Sequence, residues 1–293
     1  MSEVGFLLAT APEDWDPYVK KFIRKLGNRA NVTVLPPKGA NGNPDDIRRT
    51  AEYMVNYFDV IVTAGTAAAL ICKEATRLNK HPPVVFASVG DAGLSELDKP
   101  QPGRWYTGGS NGQVKFVRDR VDFMLGKPAT FKPPFAVVGY YKNDPKDPAT
   151  AAMDAAYTYL SGKVGPANVK WGKIQNNEKM PQFIDRLKAL PSAPQSLYCC
   201  SDLRLTANAA ALSAAADAES MATMWEFEEH KTIHHGKDAK GVDFTDMFEH
   251  AAEQVLDILV NGATPDSLAI YEPALSFAAR RTKRRKSGGR KKR

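Results

Sequence analysis

Along nearly the whole chain, short apolar runs rich in β-branched residues alternate with amphipathic stretches, and a few Gly, Pro, Asn or Asp residues separate each pair. Alternation of that kind predicts strand and helix in turn, and so a parallel sheet with right-handed crossovers. Val4 to Ala9 reads as the first strand and Thr10 to Asp16 as a polar turn. Pro17 then opens a helix with Tyr18, Phe22, Ile23 and Leu26 on one face, closed by Gly27. Asn31 to Leu35 is a second strand, and a Pro/Gly/Asn loop leads to a helix from Asp45 to Tyr57.

The stretch from Asp59 to Gly93 carries the densest signal. Asp59 to Thr63 is a β-branched run without polar interruption, as suits a parallel strand covered on both faces. Gly65 breaks it, Thr66 sits where a helix N-cap belongs, and the alanine-rich segment from Ala67 to Leu78 is the helix. The next strand, Val84 to Ala87, ends in Ser88-Val89-Gly90-Asp91. Trp105-Tyr106-Thr107 closes this unit, and the Pro, Gly and Ser content from Gln101 to Gly112 marks a crossing into a second lobe.

The alternation then restarts: helix Gln113 to Leu125, strand Phe135 to Tyr141, helix Ala149 to Leu160, strand Val169 to Ile174, helix Met180 to Leu190, strand Ser196 to Cys200 and helix Asp202 to Ala215. A strand near Met221 to Trp225, a charged loop through Lys240, an amphipathic helix Thr245 to Val260 and a closing strand Leu268 to Tyr271 complete the pattern. The fold class is therefore α/β, with two Rossmann-like lobes whose parallel sheets are joined by a hinge.

Ligands of open α/β sheets bind beyond the carboxyl ends of the strands, and domain interfaces are favoured sites. Three groups of strand-end residues define the candidate cleft: Thr10 with Ala11, Gly65 and Thr66 with Ser88 and Asp91, and Tyr140-Tyr141 with Ser201-Asp202 from the second lobe. Plainer roles stand beside these. Thr66 caps a helix whether or not anything binds, and Ser88 and Asp91 form turns in many loops.

Composition removes several classes. At 293 residues the chain can bury a sizeable core in one large or two medium domains. No apolar run approaches the ~20 residues of a membrane span. Met1 leads almost directly into a strand, without a signal-peptide pattern, so the sequence as written predicts a cytoplasmic protein. Cys72, Cys199 and Cys200 are too few and too oddly placed for a disulfide framework and read as small buried apolar residues. His234-His235 is the one histidine cluster, in a polar segment that reads as solvated loop; no metal and no cofactor is expected. There is no P-loop, no G-x-G-x-x-G, no G-x-S-x-G and no base placed beside a nucleophile, so no catalytic residue is assigned. The net charge of +7 arises in Arg280 to Arg293, which holds ten Lys and Arg; without them the remainder carries −3. That tail lacks apolar anchors and is expected to be disordered and capable of salt-dependent polyanion contact.

The segments TAGTAAALICKEAT, VVFASVGDAG, LYCCSD and KGVDF, in this order and spacing, resemble the ABC-transporter substrate-binding proteins of type I periplasmic-binding fold. Within that family they are most similar to the branch for tryptophan and other aromatic or branched amino acids. The likeness runs from about Val4 to Pro273. It implies that the late helix, after Gly241-Val242-Asp243, returns to the first lobe. The lobes would then be 1–108 with 241–263, and 109–240 with 264–279, followed by the tail 280–293. It also implies a ligand carboxylate held by Thr66, the amides of that helix start and Ser88. Asp202 or Asp91 would meet an ammonium, and Tyr140, Tyr141 and Trp15 would form an apolar wall. The implied function is uptake of an amino acid or related carboxylate, with a transporter permease as partner and the periplasm as location. The alternative is a cytoplasmic ligand sensor whose basic tail contacts nucleic acid or an anionic surface.

Overall fold

The computed structural model describes residues 1–9, 12–35, 43–99, 102–200, 203–227, 236–273 and 275. Its strands form two parallel sheets of five. The first contains β1 (Ser2–Leu8), β2 (Ala30–Leu35), β3 (Val60–Ala64), β4 (Val84–Val89) and β5 (Tyr106–Ser110), in the order β2-β1-β3-β4-β5. The second contains β6 (Phe135–Gly139), β7 (Val169–Lys173), β8 (Ser196–Cys199), β9 (Ala222–Trp225) and β10 (Asp238–Ala239), in the order β10-β9-β8-β6-β7. Counted from its own first strand, each sheet has the same order, so the chain builds one Rossmann-like architecture twice.

Helices cover both faces of each sheet because the strands are apolar on both sides. In the first sheet Val4, Phe6, Leu8, Val60 and Val62 share a buried cluster with Phe22 of α1 (Pro12–Leu26) and with Met247, Phe248 and Val255 of α9 (Phe244–Leu259). The alternate residues Leu7, Ile61, Val84 and Phe86 pack with α2 (Pro44–Val55) and α3 (Thr66–Ala75). In the second sheet Val138, Leu197 and Cys199 face α6 (Met180–Lys188) and α8 (Ala209–Ala218). Val137, Tyr198 and Cys200 face α4 (Val117–Leu125) and α5 (Pro148–Val164). Burying each large apolar side chain contributes about 1.5–3 kcal/mol, and these clusters hold most of them. All three cysteines are free and buried.

Several local expectations change. Helix α1 starts at Pro12, not Pro17. Pro17 lies inside the helix, where it removes one ladder bond, and α1 runs through it. The helix expected over Asp202 to Ala215 is two helices, α7 (Leu203–Ala207) and α8, divided at Asn208. The charged loop before Lys240 contains the two-residue strand β10, paired with β9.

Helix α9 follows β10 of the second sheet yet packs on α1, β4 and β5 of the first. The residues after it stay there. Arg104 Nη2 donates to the carbonyls of Pro265 (3.0 Å) and Leu268 (2.6 Å), and Gly103 N–H donates to Asp266 Oδ2 at 2.9 Å. The expected closing strand reduces to one bridge between Tyr271 and Gly109. Residues 264–271 thus lie along the edge of the first sheet, which corrects their grouping with the second lobe. No helix among the described residues is long and apolar enough to cross a membrane. His234, His235 and the basic segment 280–293 lie outside the described residues.

Candidate functional site

In each sheet the strand order reverses beside the first strand, between β1 and β3 and between β6 and β8. A crevice opens at such a switch point beyond the carboxyl ends of the strands. The residues that follow β1, β3, β6 and β8, with Ser88 and Asp91 at the end of β4, are the strand-end residues singled out from the sequence.

In the first lobe the structure joins three of them. Gly65 adopts φ 97° and ψ 144°, a left-handed conformation that glycine reaches without strain, and turns the chain from β3 into α3. Its N–H donates to the carbonyl of Ser88 at 2.9 Å. Thr66 is the first residue of α3 and not its cap; Gly65 holds the cap position, and no side chain among the described residues caps the helix. The first amides of α3 are therefore left for water or a ligand. The Thr66 hydroxyl accepts from Gly90 N–H at 2.9 Å, which ties the turn after β3 to the turn after β4. A hydroxyl that accepts on one lone pair keeps its proton to donate. Ser88 is buried in β4 opposite Ala64, just past a register shift in β3.

Other candidates are spent locally. Asp91 Oδ1 accepts from Leu94 N–H at 3.0 Å and closes its own turn. Trp15 stacks on Phe248 at 5.8 Å and meets Phe244 edge-on at 6.0 Å. Phe227, which follows β9 of the second sheet, packs 4.9 Å from the same Phe244. Trp15 therefore belongs to an aromatic cluster that bridges the lobes. Thr10, Ala11, Ser201 and Asp202 lie outside the described residues.

The two tyrosines after β6 take opposite faces of the second sheet. Tyr140 joins the cluster under α6 and α8, with the Arg204 guanidinium 5.5 Å from its ring. Tyr141 turns to α5, where its hydroxyl donates to Asp154 Oδ2 at 3.3 Å and Lys173 Nζ lies 3.5 Å over its ring. Burial first, then the Asp154 charge, raises the Tyr141 phenol above its ordinary value. One continuous wall from both rings is not what this geometry provides.

Sequence reasoning missed a buried polar cluster where the chain crosses between lobes. Gln113 Nε2 donates to Glu226 Oε2 at 2.8 Å. Arg120 donates through Nε to the Lys240 carbonyl (3.0 Å) and through Nη1 to the Gln113 carbonyl (2.7 Å), with Glu226 Oε1 3.8 Å away. Arg120 and Glu226 are both fully buried. The cluster fastens the crossing after β5 to the crossing after β10. A Cβ on Gly241 would stand 2.2 Å from the Glu226 carbonyl oxygen, so the second crossing can pass only as glycine. A charged pair outside every quoted motif leaves no periodic trace; the one available signal was an Arg inside the apolar face of α4. Among the described residues no group of three or more His, Cys, Asp or Glu is placed to hold a metal ion.

Two lobes of identical strand order, joined at crossings and facing each other with their strand ends, define the type I periplasmic-binding-protein fold, and this chain has it. The solved structures it is similar to include a Streptococcus pneumoniae ABC domain in complex with L-Trp, at 16% identity over 92% of this chain and 88% of that one, TM-score 0.76. They also include an ABC-transporter periplasmic solute-binding protein from Actinobacillus succinogenes with bound D-allose, at 13% identity over 94% and 97%, TM-score 0.62. The trehalose repressor of Escherichia coli shares the fold as well, at 11% identity over 94% and 100%, TM-score 0.62. No family model matches the sequence, and no curated protein matches it.

Proposed function

We propose that this protein is a substrate-binding protein that closes its two lobes around an amino acid or a related small carboxylate and serves uptake by an ABC transporter. The observation that carries the reading is the uncapped start of α3 beside Thr66, whose hydroxyl has its acceptor side engaged by Gly90 and its proton left to give. Amides and a hydroxyl with its proton still to give suit a carboxylate, and a helix N-terminus favours that charge by about 0.3–1 kcal/mol before any hydrogen bond is counted. Ser88, near the end of β4, is the third donor. Asp91, which accepts from Leu94 N–H through Oδ1, and Asp202 are the two candidate partners for an ammonium. Tyr140 supplies apolar surface from the second lobe, and the cluster of Trp15, Phe227 and Phe244 supplies it at the bridge between lobes. The L-Trp complex among the similar structures is in keeping with an amino acid, and the likeness to solute-binding proteins supports a permease partner and a periplasmic setting.

Thermal unfolding against a panel of amino acids, their decarboxylated amines and free sugars tests this. A ligand at a hundredfold over its Kd adds about 2.7 kcal/mol, which raises Tm by several degrees. An amino acid should stabilise and its amine should not; stabilisation by sugars alone, or by nothing, overturns the reading. The ten basic residues of Arg280 to Arg293, together with the fold shared with a repressor, favour a second reading as a ligand-responsive sensor that contacts polyanions. In that case removal of residues 280–293 abolishes binding to duplex DNA that is otherwise lost steeply with added salt.

A further inference from the structure

Gly90 follows β4 at the edge where the lobes meet. Its φ lies outside the left-handed region, so no backbone strain asks for glycine. Space does. A Cβ at this position would stand 3.0 Å from Pro148 Cβ, 3.4 Å from Pro148 Cγ and 2.9 Å from Gln113 Oε1. Pro148 opens α5, which packs against β6 and β7 of the second sheet, whereas Gly90 is bonded into the first through Thr66. Neither neighbour yields easily. Proline is a closed ring, and Gln113 is held by Glu226 through its side chain and by the Gly90 carbonyl at 2.7 Å through its N–H. Farther from the crossing the lobes meet again, with Lys146 Nζ 3.8 Å from Glu96 Oε1.

We infer that Gly90 sets how far the lobes close: its bare α-carbon is the stop on which Pro148 rests. The inference rests on the reading of the protein as a closing clamp and adds the residue that fixes the closed separation. The Glu96–Lys146 pair, six residues from Gly90 and two from Pro148, reports the separation that this contact sets. A side chain at Gly90 pushes against Pro148 and shifts the balance toward an open form.

Carbodiimide coupling of the full-length protein without added ligand, followed by peptide mapping, reads this directly. Glu96 carries an internal control, since Lys99 Nζ of the same lobe is 3.3 Å from the same oxygen. The wild type should yield both the Glu96 to Lys99 and the Glu96 to Lys146 links. In Gly90→Leu the ratio of the second to the first should fall by roughly tenfold, because overpacking of that size shifts a two-state balance by such a factor. An unchanged ratio, or a wild type without the Lys146 link, overturns the inference. If Gly90→Leu loses its far-ultraviolet circular dichroism, Gly90→Ala with and without Pro148→Gly decides: the ratio falls in the single variant and recovers in the double, and equal ratios overturn the idea. Link ratios need no bound ligand, so failure of the ligand screen leaves this result standing, and the reverse also holds.

Discussion

The carboxyl edges of the two sheets share a strand order and little else. In the first lobe the strand ends are small residues, Gly65, Thr66, Ser88 and Gly90, joined by main-chain and hydroxyl hydrogen bonds. In the second lobe the ends carry large or charged side chains already engaged: Tyr140 with Arg204, Tyr141 with Asp154 and Lys173, Glu226 with Gln113 and Arg120. One repeated architecture has thus been divided into an edge that offers bonds and an edge that supplies bulk and fixed charge. The division follows from residue size. Small residues let backbone amides reach a ligand, whereas large ones bring their own partners with them.

The contrast can be broken at either edge. The largest effect should come from Arg120→Met, which leaves Glu226 buried without its cation; such losses run to about 3–5 kcal/mol, read by urea unfolding. A loss under about 1 kcal/mol would show that the buried cluster does not hold the crossings together. In the first lobe, Thr66→Val removes the acceptor for Gly90 N–H and the outward proton, and should cost about 1–3 kcal/mol of stability together with the thermal response to amino acids. Thr66→Ser should keep both, which separates hydroxyl chemistry from shape. Tyr141→Phe should cost about 0.5 kcal/mol and leave ligand stabilisation intact, because its hydroxyl serves Asp154 on the α5 face.

The smallest effect is a pH dependence at the loop after β7. Glu178 holds Arg186 through two bonds of 2.8 Å each, and that guanidinium lowers the Glu178 carboxyl below its ordinary value of 4.5. A lowered carboxyl stabilises the fold above its ordinary pKa, and the contribution is lost as pH falls through the folded-state value. The stability difference between wild type and Glu178→Gln should be constant from pH 6 to 7 and shrink below about pH 4.5. A difference that grows on acidification would contradict the assignment.

What could be read from the chain was whatever repeats. Uninterrupted β-branched runs such as Asp59 to Thr63 and amphipathic stretches such as 245–260 mark their elements, and their alternation yields both sheets. Strand β10 escaped because two residues carry no period, and the break at Asn208 because alanine-rich sequence on both sides reads as one helix. At the candidate site the turns after β3 and β4 were legible through their Gly, Thr and Ser. The bond from Gly90 to Thr66 was not, since nothing in either turn specifies which oxygen meets which amide. The opposite faces taken by Tyr140 and Tyr141 do follow from strand alternation. The cluster of Gln113, Arg120, Glu226 and Lys240 joins residues over a hundred positions apart, where local pattern carries no information.

The placement of α9 also has a consequence for how the protein is made. Phe6 and Phe22 are translated well ahead of Phe248, which stacks on Phe6 at 5.8 Å and follows more than two hundred residues later. At about 5–20 residues per second that interval lasts roughly 10–50 s. Throughout it the nascent first sheet has one aromatic face without its cover, while the whole second sheet can be synthesised and can fold. The lobe that begins first is completed last, and its uncovered face is the surface a chaperone acting on the growing chain would meet.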